Sequence, residues 1–302
     1  MTTLETDISG MKLEYPLLLA SGILGQTSDS MKKVMDHGMG GVVTKSIGSE
    51  PREGHPNPSM IETEHGLLNA MGLPNPGIDN FVKELSKIRP DSKPVIGSVF
   101  SGEEEGFIEL SKKMEKGGAD AVELNLSCPH AEGYGAAVGT DPSLVKKIVK
   151  GVKENTDIPV FAKLPPLSGI VEVALAAEEG GCDAIVAINT IKAMVINFET
   201  QRPFLGNTFG GYSGPAVKPV GLRCVYEIYR DIDIPVIGCG GITYGRDALE
   251  YILAGASALQ IGSAIYYRGA DAGELINGEI KELMKKEGIE TLEELIGKAQ
   301  QF

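Results

Sequence analysis

One cysteine of the sequence stands where a thiol could act as a base. Cys128 lies in the run Asn125-Leu126-Ser127-Cys128-Pro129-His130, after an apolar stretch and before a polar loop. A free thiol has a pKa of about 8.5, so little of it is thiolate at neutral pH, and a neighbouring lysine would increase that fraction. The pattern favours base chemistry at Cys128 over the alternative, a buried cysteine that only fills space.

The other cysteines fit structural roles. Cys182 and Cys224 are predicted to be small buried groups, and Cys239 to pack beneath a ligand without reacting. No pair has C-x-x-C spacing, so the sequence predicts neither a metal site nor a redox pair. Four cysteines in 302 residues are too few for a disulfide scaffold, which is typical of a reducing cytosol.

Polar side chains recur where apolar runs end. They are Ser21, Lys45, Ser46, Ser98, Asn125, Lys163, Asn189, Thr190 and Ser263. A lysine at the end of a buried strand is costly unless it meets an anion or a polar ligand. Lys45 and Lys163 therefore indicate a binding site, and the alternative is that each side chain reaches solvent.

Glycines close the last two apolar runs, at Gly240-Gly241 and at Gly262-Ser263. Glycine lets a backbone approach a ligand closely, and barrels commonly bind phosphate with the loops after their seventh and eighth strands. The spacing predicts a phosphorylated cofactor or substrate at this place.

Eight apolar runs must position these residues. They are Leu17–Gly22, Gly41–Ile47, Pro94–Phe100, Ala121–Cys128, Pro159–Pro165, Ala184–Thr190, Pro235–Gly241 and Ala258–Ala264. Continuous apolar runs separated by helical patterns, such as Glu103–Gly117 and Pro142–Asn155, indicate parallel strands covered on both faces. We predict one (β/α)₈ barrel, an α/β TIM barrel, spanning residues 1–302 as a single domain; an open doubly wound sheet is the rival.

Three further segments have recognisable patterns. Residues 48–79 and 192–219 are long for loops and follow strand ends, where a barrel keeps its active site. Residues 270–301 are rich in Glu and Lys and predict one or two covering helices.

Charge and hydropathy exclude some classes of function. The formal net charge of −13 disfavours nucleic acid as a partner, because binding phosphates needs clustered Lys and Arg. No apolar run reaches the roughly 18 residues of a membrane span. We expect a soluble, cytoplasmic protein.

The ordered motifs resemble class 1 dihydroorotate dehydrogenases, and the 1B catalytic subunit more than the 1A enzyme. The motifs are Lys45-Ser46-Ile47, Asn69-Ala70-Met71-Gly72-Leu73-Pro74-Asn75-Pro76-Gly77, Glu123-Leu124-Asn125-Leu126-Ser127-Cys128-Pro129, Ala162-Lys163-Leu164, Ile188-Asn189-Thr190, Gly210-Gly211-Tyr212-Ser213-Gly214-Pro215 and Gly240-Gly241-Ile242. The resemblance extends over roughly residues 10–268.

The resemblance implies an FMN flavoprotein that oxidises dihydroorotate to orotate. FMN would contact Ala20, Ser21, Lys45, Ser46, Ser98, Asn125, Lys163 and Ile188, with its phosphate on Gly214, Gly240, Gly241, Gly262 and Ser263. The pyrimidine would contact Lys45, Asn69, Met71, Gly72, Leu73, Asn125, His130, Asn189 and Thr190. Cys128 would take the proton from C5 while hydride leaves C6 for the flavin.

Two residues depart from the family pattern. His130 and Ser98 stand where the family has asparagines that touch substrate and FMN, respectively. The Cys-Pro-His version also occurs in dihydropyrimidine dehydrogenase, so an uncharged dihydropyrimidine is the alternative substrate. A flavin-free barrel lyase or isomerase with a sugar-phosphate site is the third possibility.

The resemblance also suggests partners. A homodimer is expected, and in the 1B class a separate subunit with FAD and an iron–sulfur centre passes electrons to NAD. This chain has no cysteine cluster of its own for such a centre. The sequence leaves the electron acceptor open.

Overall fold

The computed structural model describes residues 2–88, 93–127 and 138–301. In chain order, the strands are β1 (Thr6–Ile8), β2 (Met11–Leu13), β3 (Leu17–Leu19), β4 (Gly41–Val43), β5 (Pro51–Arg52), β6 (Met60–Thr63), β7 (Gly66–Asn69), β8 (Asn75–Pro76), β9 (Val95–Val99), β10 (Ala121–Asn125), β11 (Val160–Leu164), β12 (Ala184–Ala187), β13 (Ile191–Ala193), β14 (Ile196–Asn197), β15 (Arg202–Pro203), β16 (Gly210–Ser213), β17 (Val236–Cys239) and β18 (Ala256–Ile261). The α-helices are α1 (Ser28–Asp36), α2 (Ile78–Leu85), α3 (Glu104–Lys116), α4 (Pro142–Lys153), α5 (Ile170–Glu179), α6 (Lys218–Asp231), α7 (Gly245–Ala254), α8 (Ser263–Arg268) and α9 (Ala272–Lys286).

Eight parallel strands close into a barrel. They follow one another as β3, β4, β9, β10, β11, β12, β17 and β18, and β18 pairs with β3 to close the ring. This confirms the predicted TIM barrel and excludes the open doubly wound sheet, whose edge strands would stay unpaired.

The barrel interior is filled in layers. One layer is apolar and includes Leu18, Val43, Ile96 and Phe161, and the hairpin of β1 and β2 packs against it. Because strand side chains alternate in direction, residues two positions further along also point inward. After Val43, Ile96 and Phe161 these positions hold the polar residues Lys45, Ser98 and Lys163, which lie towards the carboxyl ends of the strands.

The strands are shorter than the apolar runs that predicted them. The run Gly41–Ile47 forms a strand only over Gly41–Val43, and Ala184–Thr190 only over Ala184–Ala187. The residues that follow these strands include buried ones, among them Ile47 and Ile188. Buried residues therefore continue beyond the last residue that pairs with a neighbouring strand, so the length of an apolar run overestimates the length of the strand.

The sequence predicted residues 48–79 and 192–219 to be long loops, but in the structure both segments contain strands. Strands β6 and β7 from the first segment join β13 and β16 from around the second in a four-stranded antiparallel sheet. A small cluster of Leu68, Ala70 and Leu205 is buried with it. The sheet orders residues that follow the barrel strands.

The predicted helices form close to their expected limits. Asp141 caps α4, since its carboxylate accepts hydrogen bonds from the backbone N–H groups of Ser143 and Leu144. The C-terminal segment contains α9 and a short 3₁₀ helix, Lys298–Gln301. In the part of the chain that the structure describes, no helix combines the length and apolarity needed to cross a membrane.

Candidate active site

Amide and hydroxyl side chains converge at the ends of β10 and β12. The side-chain oxygen of Asn125 accepts hydrogen bonds from the Ser127 hydroxyl at 2.7 Å and from the Asn189 amide at 3.3 Å. The Asn189 amide also donates to the Ser127 hydroxyl. Asn125 is 8% exposed and Asn189 is partly buried, so both can present amide groups to a ligand at the mouth.

A ladder of hydroxyls joins three neighbouring strand ends. Ser46 Oγ lies 3.0 Å from Ser21 Oγ and 2.9 Å from Ser98 Oγ, and it accepts a hydrogen bond from the Asn125 amide at 3.1 Å. Ser98 is fully buried and Ser46 is 3% exposed, so both hydroxyls are enclosed by the protein. The three serines were predicted to contact the cofactor, and the structure places them side by side.

Lys45 places its ammonium group in a buried position beyond the end of β4. The residue is 6% exposed, and among the described residues no side chain or carbonyl pairs with its Nζ. Burial lowers the pKa of Lys45 from its ordinary value of 10.5, and no acidic neighbour offsets this effect. A buried cation with no partner is costly, so the site is prepared for an anionic or polar ligand.

Lys163, in contrast, has partners inside the barrel. Its ammonium donates to Gln260 Oε1 at 2.7 Å and lies 3.7 Å from Glu123 Oε1. Neither Glu123 nor Gln260 was predicted to have a role. The available signal was a charged or amide residue within an otherwise apolar run, since such a residue needs a partner across the barrel.

The predicted substrate residues of the long segments are brought together by the four-stranded sheet. Asn69 pairs in register with Gly211 and donates to its carbonyl at 3.4 Å. A Cβ on Gly211 would meet Thr190 Oγ1, so Gly211 lies between Asn69 and Thr190. Met71 and Gly72 follow β7: the Met71 carbonyl accepts from the His55 N–H, and a Cβ on Gly72 would collide with His55. Leu73 comes next, with a φ of 55°.

The glycine loops lie against one another. Gly214 has a φ of 102°, Gly240 of 125° and Gly241 of 73°, which is backbone that favours glycine. A Cβ on Gly241 would come within 2.9 Å of the Gly214 carbonyl oxygen, and one on Gly240 within 3.5 Å of Ile188.

The remaining residues that were predicted to hold the phosphate adjoin this loop. Cys239 and Gln260 are register partners in β17 and β18, so Gly240 and Gly262 follow neighbouring strands. Ser263 begins α8, and a Cβ on Gly262 would lie 3.6 Å from Ala20. Tyr251, also missed by sequence analysis, fixes the loop because its hydroxyl donates to the Gly240 carbonyl at 2.6 Å.

Three cysteines are described, and they behave as expected of unreactive thiols. Burial raises the pKa of Cys182 and of Cys224. Burial also raises the pKa of Cys239, with Lys163 opposing the rise and Glu123 adding to it. Cys128 and His130, the predicted base and its neighbour, lie outside the described residues.

Comparisons with known proteins agree with this geometry. A family model described as dihydroorotate dehydrogenase matches residues 3–284. A relative from Pyrococcus horikoshii, named dihydroorotate dehydrogenase B (NAD(+)), catalytic subunit, is 52% identical over 297 residues, which cover 98% of this chain and 97% of the relative. A protein of the same name from Methanocaldococcus jannaschii is 47% identical over 301 residues, covering 98% of each chain.

A solved structure shares the fold. The DHODH of Eimeria tenella, crystallised in complex with ferulenol, superposes with a TM-score of 0.84 at 23% identity and covers 99% of this chain and 89% of its own. The family match over residues 3–284 and identities of 52% and 47% across nearly the whole length settle the assignment. The chain belongs to the dihydroorotate dehydrogenase family.

Proposed function

We propose that the chain oxidises (S)-dihydroorotate to orotate in pyrimidine biosynthesis, with FMN as the hydride acceptor. The ammonium of Lys45, which has no acceptor among the described residues, carries the proposal, because a buried cation at the mouth suits the carboxylate that distinguishes dihydroorotate from neutral dihydropyrimidines. The amides of Asn125 and Asn189 can both donate to and accept from the polar edge of a pyrimidine ring.

Enzymes of this family are FMN flavoproteins, and the residues present fit that cofactor. The donor set at the mouth consists of Ser21, Ser46, Asn125 and Lys163, which match the polar edge of a flavin ring. Gly240 and Gly241 adopt positive φ and Ser263 stands at the start of α8, so backbone N–H groups and a hydroxyl are available to a phosphate. When bound, FMN accepts the hydride that leaves C6 of the substrate.

The protein would supply orientation and a base. Lys45 binds the substrate carboxylate, and Asn69, Asn125, Asn189 and Thr190 hold the ring. Cys128, as thiolate, takes the proton from C5, so the pair of electrons of that C–H bond remains to form the new double bond. The residues at the end of β10 support this assignment, because Asn125 and Ser127 both accept hydrogen bonds from Asn189 and Cys128 is next in the chain.

A separate electron-transfer subunit is part of the proposal. The curated relatives are named catalytic subunits of an NAD(+) enzyme, so a partner is expected that carries FAD and an iron–sulfur centre. Among the described residues no group of three or more His, Cys, Asp or Glu is arranged to hold a metal ion. A homodimer of this chain and a location in the cytoplasm stay predictions.

Anaerobic reduction of the bound flavin tests the proposed function. Dihydroorotate should bleach the flavin absorbance of the purified protein much faster than dihydrouracil does, because only dihydroorotate offers a carboxylate to Lys45. The measurement omits the electron acceptor, so a missing partner subunit does not affect it. Faster reduction by dihydrouracil would establish a dihydropyrimidine oxidoreductase instead, and a colourless protein that binds no FMN would contradict flavin chemistry altogether.

A further inference from the structure

Glu123 occupies the interior of the barrel directly below the mouth. It is fully buried, and it points inward because it lies two residues beyond Ala121 of the apolar layer. Its register partners are Phe161 on β11 and Ser98 on β9. A carboxylate in such a place is destabilising unless charge and hydrogen bonds compensate for the lost water.

A single amide connects this carboxylate to Lys163. Gln260 Nε2 donates to Glu123 Oε2 at 2.6 Å, while Gln260 Oε1 accepts from Lys163 Nζ at 2.7 Å. Only this orientation of the amide serves both charges, since a carboxylate cannot donate and an ammonium cannot accept. The direct separation of Lys163 Nζ from Glu123 Oε1, 3.7 Å, is longer than a hydrogen bond, so Gln260 bridges the pair.

The same carboxylate is joined to the hydroxyl ladder of the mouth. Ser98 Oγ donates to Glu123 Oε1 at 3.4 Å and lies 2.9 Å from Ser46 Oγ. Lys163 is the register partner of Asn125, so its backbone is level with the residues of the mouth. Its ammonium has three donors, of which Gln260 accepts one; the described residues accept no other hydrogen bond from it, so the rest can serve a ligand.

We propose that Glu123 is a positioning residue for the cofactor: with Gln260 as bridge, it fixes the ammonium of Lys163 where it would contact the flavin, and it compensates the charge of that ammonium. The proposal rests on the proposed function, since it takes Lys163 as a contact of FMN. It goes beyond that function because it assigns to the Glu123–Gln260 pair the setting of FMN affinity and of the flavin reduction potential.

The consequence for the flavin follows from charge. A reduced flavin holds more negative charge than an oxidised one, so a negative group beneath it disfavours reduction. Removing the carboxylate therefore makes the reduction potential more positive. Removing it also takes away the carboxylate that holds the Gln260 amide against Lys163, so the ammonium is less well positioned and FMN binds more weakly.

The test compares wild-type protein with E123Q, K163M, the E123Q/K163M double variant and a control, D183N. Asp183 also accepts from a lysine, Lys153, at 2.7 Å, but it precedes β12 at the opposite end of the barrel. For each protein, the dissociation constant of FMN is measured by titration of the stripped protein, and the midpoint potential is measured against a reference dye.

We expect E123Q to raise the dissociation constant at least about tenfold and to make the potential more positive, and D183N to change neither. In the K163M background, E123Q should change the dissociation constant by less than about threefold, because its effect acts through Lys163. A folded E123Q with the wild-type constant, a potential that is unchanged or more negative, or additive effects in the double variant would overturn the proposal.

If E123Q does not fold, Q260M serves in its place, because it breaks the bridge and keeps both charges. Like E123Q, Q260M should raise the dissociation constant of FMN. An unchanged dissociation constant would overturn the proposal. A wild-type protein that fails to bind FMN contradicts the proposed function, whereas normal FMN binding by every variant contradicts only this inference.

Discussion

Gly241 lies so close to Lys218 that a Cβ on the glycine would stand 2.6 Å from the Lys218 backbone nitrogen. Lys218 is itself held in place, since its ammonium pairs with Asp247 at 2.7 Å and with Glu250 at 2.8 Å. The contact joins the loop after β17 to the start of α6, beside Gly214. No real Cβ fits this space, so the glycine loop can keep its shape only without a side chain.

We predict that Gly241→Ala displaces the loop and yields mostly apoprotein. The alanine Cβ would collide with the backbone of Lys218. In addition, a φ of 73° costs roughly 1–2 kcal/mol for a residue with a Cβ. The ratio of flavin absorbance to protein absorbance after purification measures FMN occupancy.

Gly118→Ala is the matched control. Gly118 also has a positive φ, of 96°, but a Cβ there would meet nothing within 4 Å, and it lies after α3 on the outside of the barrel. It should lose only the stability that corresponds to the positive φ, because it has no collision, and it should keep its FMN. Full occupancy in a folded Gly241→Ala would show that this loop does not hold the phosphate.

We predict that Lys45→Met stabilises the ligand-free protein at neutral pH while it weakens substrate binding. Burial holds the pKa of Lys45 below its ordinary value of 10.5, so protonation of this group disfavours the folded state. That penalty is complete below the folded pKa and disappears as the pH rises towards 10.5. The stability advantage of the variant over wild type, measured by urea unfolding of stripped protein, should therefore shrink as the pH is raised.

The same variant should bind orotate roughly ten- to a hundredfold more weakly, because it loses a charge-assisted hydrogen bond to the carboxylate. Binding is followed by the change in flavin absorbance, and uracil, which has no carboxylate, serves as the control ligand. Equal losses for both ligands would place the carboxylate elsewhere.

We predict that Cys128→Ala keeps its FMN and binds orotate, yet is reduced by dihydroorotate about 10² to 10⁴ times more slowly, the usual contribution of a general base. The wild-type rate should rise with pH as the thiol ionises, and Cys128→Ser should retain a little activity that also rises with pH. Stopped-flow measurement of anaerobic flavin reduction gives these rates.

Cys182→Ala is the control for this series. Cys182 is 4% exposed and burial raises its pKa, so its removal should affect stability alone. Near wild-type flavin reduction in Cys128→Ala would mean that another group takes the proton, and His130 would be the next residue to replace.

Much of the fold could be predicted because the sequence patterns that indicate strands and helices are local. A buried parallel strand needs a continuous apolar run, and the spacing of such runs predicts the barrel and the edge at which polar ends meet. The residues Ser21, Ser46, Ser98, Asn125 and Asn189 do form one hydrogen-bonded group, as their positions at strand ends indicated. Strand limits were predicted too long, because burial in this protein continues into the residues after the strands.

The residue types that end each strand and the positions that face inward can be predicted from the chain alone, since both follow from local periodicity. Which of these residues meet depends on the folded protein: Glu123 and Gln260 are 137 positions apart, and Asn69 reaches Gly211 through a sheet built from two separate segments. Periodicity gives the direction of a side chain but not its neighbour across a closed barrel, because that neighbour depends on the order, register and tilt of all eight strands.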